Sequence, residues 1–191
     1  MTHVADEQLG KIARQQADLF RRVREGSLDT ESVSRRLQEI IEGKPSGNTY
    51  SFSVDYGRSV DDGVKAGRYD WVHSDIISRN VPTVRKDTAE IAVELVHFNQ
   101  CISIRDALRE LDRMSFYPAE LHELLAFGEK YPEVQFKFPI VTLGSVFRGG
   151  HRGDLCVPCL GGIGSWRGLG LDWVGTIWSE VCRFAAVRSP R

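Results

Sequence analysis

The chain is defined first by what it lacks. Its charge has almost no net sign: 25 Lys+Arg against 26 Asp+Glu leave −1 at pH 7 over 191 residues. No overall field draws it to nucleic acid or to an anionic lipid surface. It has no long apolar run, and its opening MTHVADEQLG has neither a basic n-region nor an apolar h-region. No membrane span is therefore expected, and the protein reads as made in the cytoplasm. There is no Gly-rich phosphate loop, G-x-S-x-G elbow, HExxH or dinucleotide-binding glycine pattern. Cysteine is sparse, at four (Cys101, Cys156, Cys159 and Cys182). Without a secretion signal these read as free thiols rather than a disulfide framework.

What is present divides into two parts. Residues 1–43 predict an antiparallel helical hairpin. Leu9, Ile12, Ala13, Leu19, Phe20 and Val23 line one helix face, and Val33, Leu37, Ile40 and Ile41 line the next, with Asp29 and Thr30 as N-cap candidates and Gly43 placed to end it. Such a hairpin has to bury its stripes elsewhere, and a homo-oligomer formed through it is one expectation. Residues 44–49 (KPSGNT) read as a linker. Residues 44–191 then predict one α+β domain. Strands are expected at Tyr50–Val54, at Ala89–Phe98 in the sheet interior, at PIVTLGS and at Arg183–Arg188. Capped helices are expected after Ser59 and Ser103, and another with Pro118 in its first turn.

From residue 144 onward the composition shifts. This tail holds ten of the chain's 18 glycines and three of its four tryptophans, with no Lys, Asn, Gln, Met or Tyr. Helical periodicity is absent, and irregular loop pegged by tryptophan is the expectation. Within it, Cys156-Val-Pro-Cys159 has the spacing of a thiol redox pair or of half a zinc claw, with Cys182 and His151 as further ligand candidates. The redox reading wants a helix after the pair, and Gly-Gly-Ile-Gly follows instead. A small zinc- or thiol-dependent enzyme using Cys156, Cys159 and Cys182 is the alternative to a non-enzymatic reading. Asp70, His73 and Asp75 around Trp71 are either a general-base or metal cluster or the pins of a loop. Asp154, Asp172 and Glu180 are too dispersed for a calcium site, so no cofactor is implied.

The run LGSVFRGG…VPCLGG…WRGLGLDWVGTIWSEVCRFAAVR resembles the C-terminal region of variable proteins of diversity-generating retroelements, and the stretches upstream are similar to the constant portion of such proteins. The resemblance implies a C-type-lectin-like domain with a variable region at about 145–183. It also implies adenine-directed exchange of AAC codons, which never yields Lys, Gln, Glu, Met or Trp. The residues between the tail's framework positions are drawn largely from that palette, and Trp166 and Glu180, which fall outside it, read as fixed or as belonging to neighbouring codons. On this reading Val157, Pro158, Leu160, Leu169, Leu171, Trp173, Trp178 and Phe184 are framework. The displayed, ligand-binding positions are Cys156, Cys159, Gly161, Gly162, Gly168, Gly170, Asp172, Val174, Gly175, Thr176, Ile177, Ser179, Val181 and Cys182. The implied ligand is a protein or another surface macromolecule, not nucleic acid, and the implied location cytoplasmic or phage-associated. Trp166, Arg148, Arg152 and Arg167 are the side chains available as binding hot spots.

Overall fold

In the computed structural model, residues 6–41, 49–81, 85–149 and 153–188 are described. The chain divides into two compact units, Met1–Gly47 and Asn48–Arg191. The first contains helices α1 (Asp6–Arg24) and α2 (Thr30–Ile41). Helix α1 ends because Gly26 adopts φ 72°, which lets Gly26 N–H donate to Val23 O and Ser27 N–H to Arg22 O, the paired bonds of a Schellman motif. No described residue of this unit is buried. Gly43 and the linker up to residue 48 lie outside the described residues.

In the second unit, strands β1 (Thr49–Asp55), β2 (Trp71–Val72), β3 (Thr88–Val96), β6 (Ile140–Thr142), β8 (Asp154–Ile163), β9 (Trp166–Trp173) and β11 (Arg183–Arg188) form one sheet in the order β1-β3-β11-β6-β8-β9-β2. Short strands β5 (Phe116–Pro118) and β7 (Phe147–Gly149) add to β11 and β8, and β4 (Ile102–Ser103) pairs with β10 (Ile177–Trp178) apart from it. The sheet is antiparallel except where β11 meets β6 and β2 meets β9. As the apolar run on both faces of β3 requires, that strand lies inside the sheet, between β1 and β11.

Alternation along the strands builds two cores. Ala185 and Val187 of β11, Ile140 of β6 and Leu160 of β8 point to one face, where helices α3 (Val60–Gly67) and α5 (Leu121–Lys130) bring Val60, Leu121, Leu124 and Phe127. Phe184, Ala186, Val141 and Val157 point to the other, beneath Ala107 and Leu111 of α4 (Ile104–Arg113) and beneath Trp178. The expected caps are in place: Ser59 Oγ accepts from Asp62 N–H at 3.0 Å and Ser103 Oγ from Asp106 N–H at 3.2 Å.

Two expectations are corrected. Pro118 is not in a helix turn; it ends β5 opposite Ala186, and α5 starts at the Glu120–Glu123 capping box, which supplies the acceptors that a proline start does not. Residues 154–173 are not irregular loop but a regular antiparallel hairpin, because neighbouring strands supply the order that glycine-rich backbone lacks by itself.

Glu123 also ties the helix to the sheet. It accepts from Tyr56 Oη at 2.5 Å and from Glu120 N–H at 2.7 Å, and burial holds its carboxyl above the usual range despite those bonds. A group with a raised folded-state pKa contributes stability at low pH and loses it as pH rises through that value. Glu123→Gln keeps both contacts by accepting from Glu120 and donating to Tyr56 Oη. Urea titrations of both proteins from pH 4 to 8 are therefore expected to show the variant gaining on the wild type as pH rises. A gap that moves the opposite way refutes the assignment.

Candidate functional site: a glycine-floored groove

Strands β8 and β9 turn at Gly164-Ser165, with Gly164 at φ 61° in the first central position of a two-residue turn. Opposed residues share a face, so Ile163/Trp166, Gly161/Gly168, Cys159/Gly170 and Val157/Asp172 all project to the α4 side. At the Val157 end that face is buried; toward the turn it opens. Strand β2 pairs in parallel with β9, Trp71 opposite Gly168, and so places the Trp71 indole beside the glycines. The result is a groove of about 650 Å³, with Gly161, Gly168 and Gly170 as floor and Trp71, Ile163 and Trp166 as walls. Trp71, Ile163 and Trp166 are 52%, 87% and 64% exposed, an uncommon outlay of large apolar surface.

The floor is held from the opposite face. Gln135, buried in the middle of a short 3-10 turn (Val134–Phe136), donates from Nε2 to the carbonyls of Gly161 at 2.5 Å and Gly168 at 3.3 Å. Its Oε1 accepts from Arg167 Nε at 3.1 Å. The Arg167 guanidinium also donates to Gly67 O at 2.5 Å and Gly128 O at 2.6 Å, carbonyls in the last turns of α3 and α5, where positive charge complements the helix dipole. Tyr69 stacks against it at 4.9 Å, and the Arg167 backbone exchanges hydrogen bonds with Asp70 at 2.7 and 2.9 Å. Arg167 is therefore an anchor, and the expectation that it serves as a ligand hot spot is corrected. Arg148 is exposed and donates to Gly153 O; Arg152 lies outside the described residues.

The structure sorts the expected display positions by asking where a side chain fits. A Cβ on Gly161 meets nothing within 4 Å, and on Gly168 only ordinary contacts at 3.7 and 3.8 Å. On Gly170 it meets Cys159 Sγ at 3.3 Å, so that sulfur has to give slightly. Gly162 faces the other way, where a Cβ lies 2.5 Å from the Phe136 ring. Free display is therefore corrected for Gly162. It is corrected too for Cys156 and Cys182, which are buried at 8% and 7% exposure. Asp172 is half-buried, which raises its carboxyl pKa, and Val174 packs against the α4-side core. Gly175, Ile177, Ser179 and Val181 are exposed and Thr176 half-buried. A Cβ on Gly175 displaces the Trp173 ring. Of the framework set, Val157, Pro158, Leu160, Leu169, Trp178 and Phe184 are buried and Leu171 is half-buried; Trp173 is 56% exposed. Trp71 and Ile163 escaped the sequence reading, Trp71 because only the β2–β9 pairing brings it there.

Cys156 and Cys159 stand three apart on one strand, so their thiols leave opposite faces of the sheet and cannot grip one ion or each other. Burial pushes the Cys159 thiol up to about 12 and raises that of Cys156, the reverse of what a nucleophile or ligand needs. Among the described residues no group of three or more His, Cys, Asp or Glu could hold a metal; His151 is not among them. The Asp70–Asp75 stretch pins a loop: Asp70 binds the Arg167 amide, and His73 Nδ1 accepts from Asp75 N–H at 3.2 Å. Among the described residues no helix is long and apolar enough to cross a membrane. No protein-family model, curated protein or solved structure matches the chain.

Proposed function

We propose that this chain is a non-enzymatic ligand-binding protein, diversified by a retroelement, that displays exchangeable side chains from a C-type-lectin-like scaffold. The observation that carries the proposal is the division of labour in the β8–β9 hairpin. On one face Leu160, Leu169 and the Gln135–Arg167 network hold the backbone. On the other, Gly161 and Gly168 lie open to any side chain. Recognition can then change while the core stays as it is. The pinning of the tail suits the lectin-type architecture. Strand β6, which precedes it, and β11, which follows it, are direct neighbours in the sheet, so the excursion leaves and returns at adjacent strands.

The ligand is a protein surface that offers an apolar side chain. Trp71, Trp166 and Ile163 supply contact area but few polar partners, and a free sugar would leave its hydroxyls unmatched there. The positions that vary are Cys159, Gly161, Gly168, Gly170, Ile177, Ser179 and Val181. The test is the DNA around the gene. A near-copy of the codons for about 145–183, differing at adenines in those seven positions and lying beside a reverse transcriptase gene, is the expected finding. A locus with neither element overturns the diversification reading.

A further inference from the structure

We infer that the N-terminal helix pair joins two copies of this chain, the α1 helices packing antiparallel across a two-fold axis. The inference rests on the helix pair and stands whether or not the groove is a diversified site. The motive is energetic: the two helices have no buried residue among those described, and helices of 19 and 12 residues are marginal without tertiary packing. Their apolar stripe is nonetheless pronounced. Leu9, Ile12, Leu19 and Val23 fall three, seven and four residues apart, on one helix face, with the polar Gln16 between Ile12 and Leu19 and with Phe20 alongside.

Two observations favour a second copy as the occupant. One is area. Leu9, Ile12, Phe20 and Ile41 are 52%, 56%, 48% and 77% exposed, and burying them in both copies removes on the order of 1,000 Å² from water, the size at which a specific interface becomes stable. The other is charge. Helix α1 opens on Asp6-Glu7 and closes on Arg21, Arg22 and Arg24. Arg21 is engaged by Asp18 of its own helix and by Glu25 just past the helix end, leaving Arg22 and Arg24 for the acidic start of an antiparallel neighbour. A C2 interface of this kind is self-complementary, as homodimers require. Two linked grooves would also raise avidity at a shallow site without any new contact.

Sedimentation of the full chain tests it. At about 50 µM, above the micromolar Kd that an interface of this size supports, the expected mass is twice the 21.5 kDa of one chain. The double variant Ile12→Asp/Phe20→Asp is expected to run as a monomer, with dimerisation weakened at least about 100-fold by buried unpaired charge. All four tryptophans lie at or beyond residue 71, so their emission during thermal unfolding reports the second unit alone and should not change. The milder pair Arg22→Glu/Arg24→Glu should weaken association about tenfold, an effect lost in high salt. A monomeric wild type, or a double variant that associates as tightly as the wild type, overturns the proposal.

Discussion

Replacing Arg167 by alanine is expected to cost the second unit about 3 kcal/mol or more, the largest single effect outside the hydrophobic core. The reason is the number of groups that depend on one guanidinium. Gly67 O, Gly128 O and Gln135 Oε1 lose their donor together, and Tyr69 loses the cation stacked on its ring. Part-buried carbonyls at the ends of α3 and α5 are left without that donor. Arg167→Lys should recover only a small part, because one ammonium cannot reach three acceptors set around a planar fork. Denaturant unfolding followed by tryptophan emission measures both. A loss under about 1 kcal/mol for Arg167→Ala would show that the hairpin is anchored elsewhere.

The second large effect comes from a contrast between neighbours. Leu160→Ala is expected to cost about 2–5 kcal/mol, since the side chain is only 1% exposed and sits between α5 and the sheet. Gly161→Thr, one residue along, should leave stability unchanged or raise it by up to about 1 kcal/mol, because a β-branched residue suits a strand and nothing occupies the space. Equal losses at the two positions would mean that the open face is not free, and the idea of exchangeable side chains would fail with it.

Much of the local structure was legible in the residues. Serines 59 and 103 announce their helices because an N-cap needs only a side-chain oxygen and the amide three residues on. Strand β3 announces its interior place by being apolar on both faces, and Gly26 ends α1 through its own backbone freedom. The resemblance to retroelement variable proteins is carried by the motifs of the tail and of the stretches upstream of it. The tail itself read poorly. Its glycines carry no side-chain period, so a regular hairpin looked like loop until β6 and β2 paired with its two edges.

By itself, then, the sequence determined an amphipathic helix pair, followed in the chain by an α+β domain with a glycine-rich end, since caps, alternation and composition act within a few residues. Only the tertiary structure decided which glycines are open. Gly161 and Gly162 are neighbours in the chain and chemically identical, yet Phe136 fills the space beside one while the other faces the groove. It also brought Trp71 to the wall and turned Arg167 from a ligand contact into an anchor. These outcomes depend on strand register and on partners far away in the chain, and no local pattern encodes a contact whose other half is about a hundred residues distant.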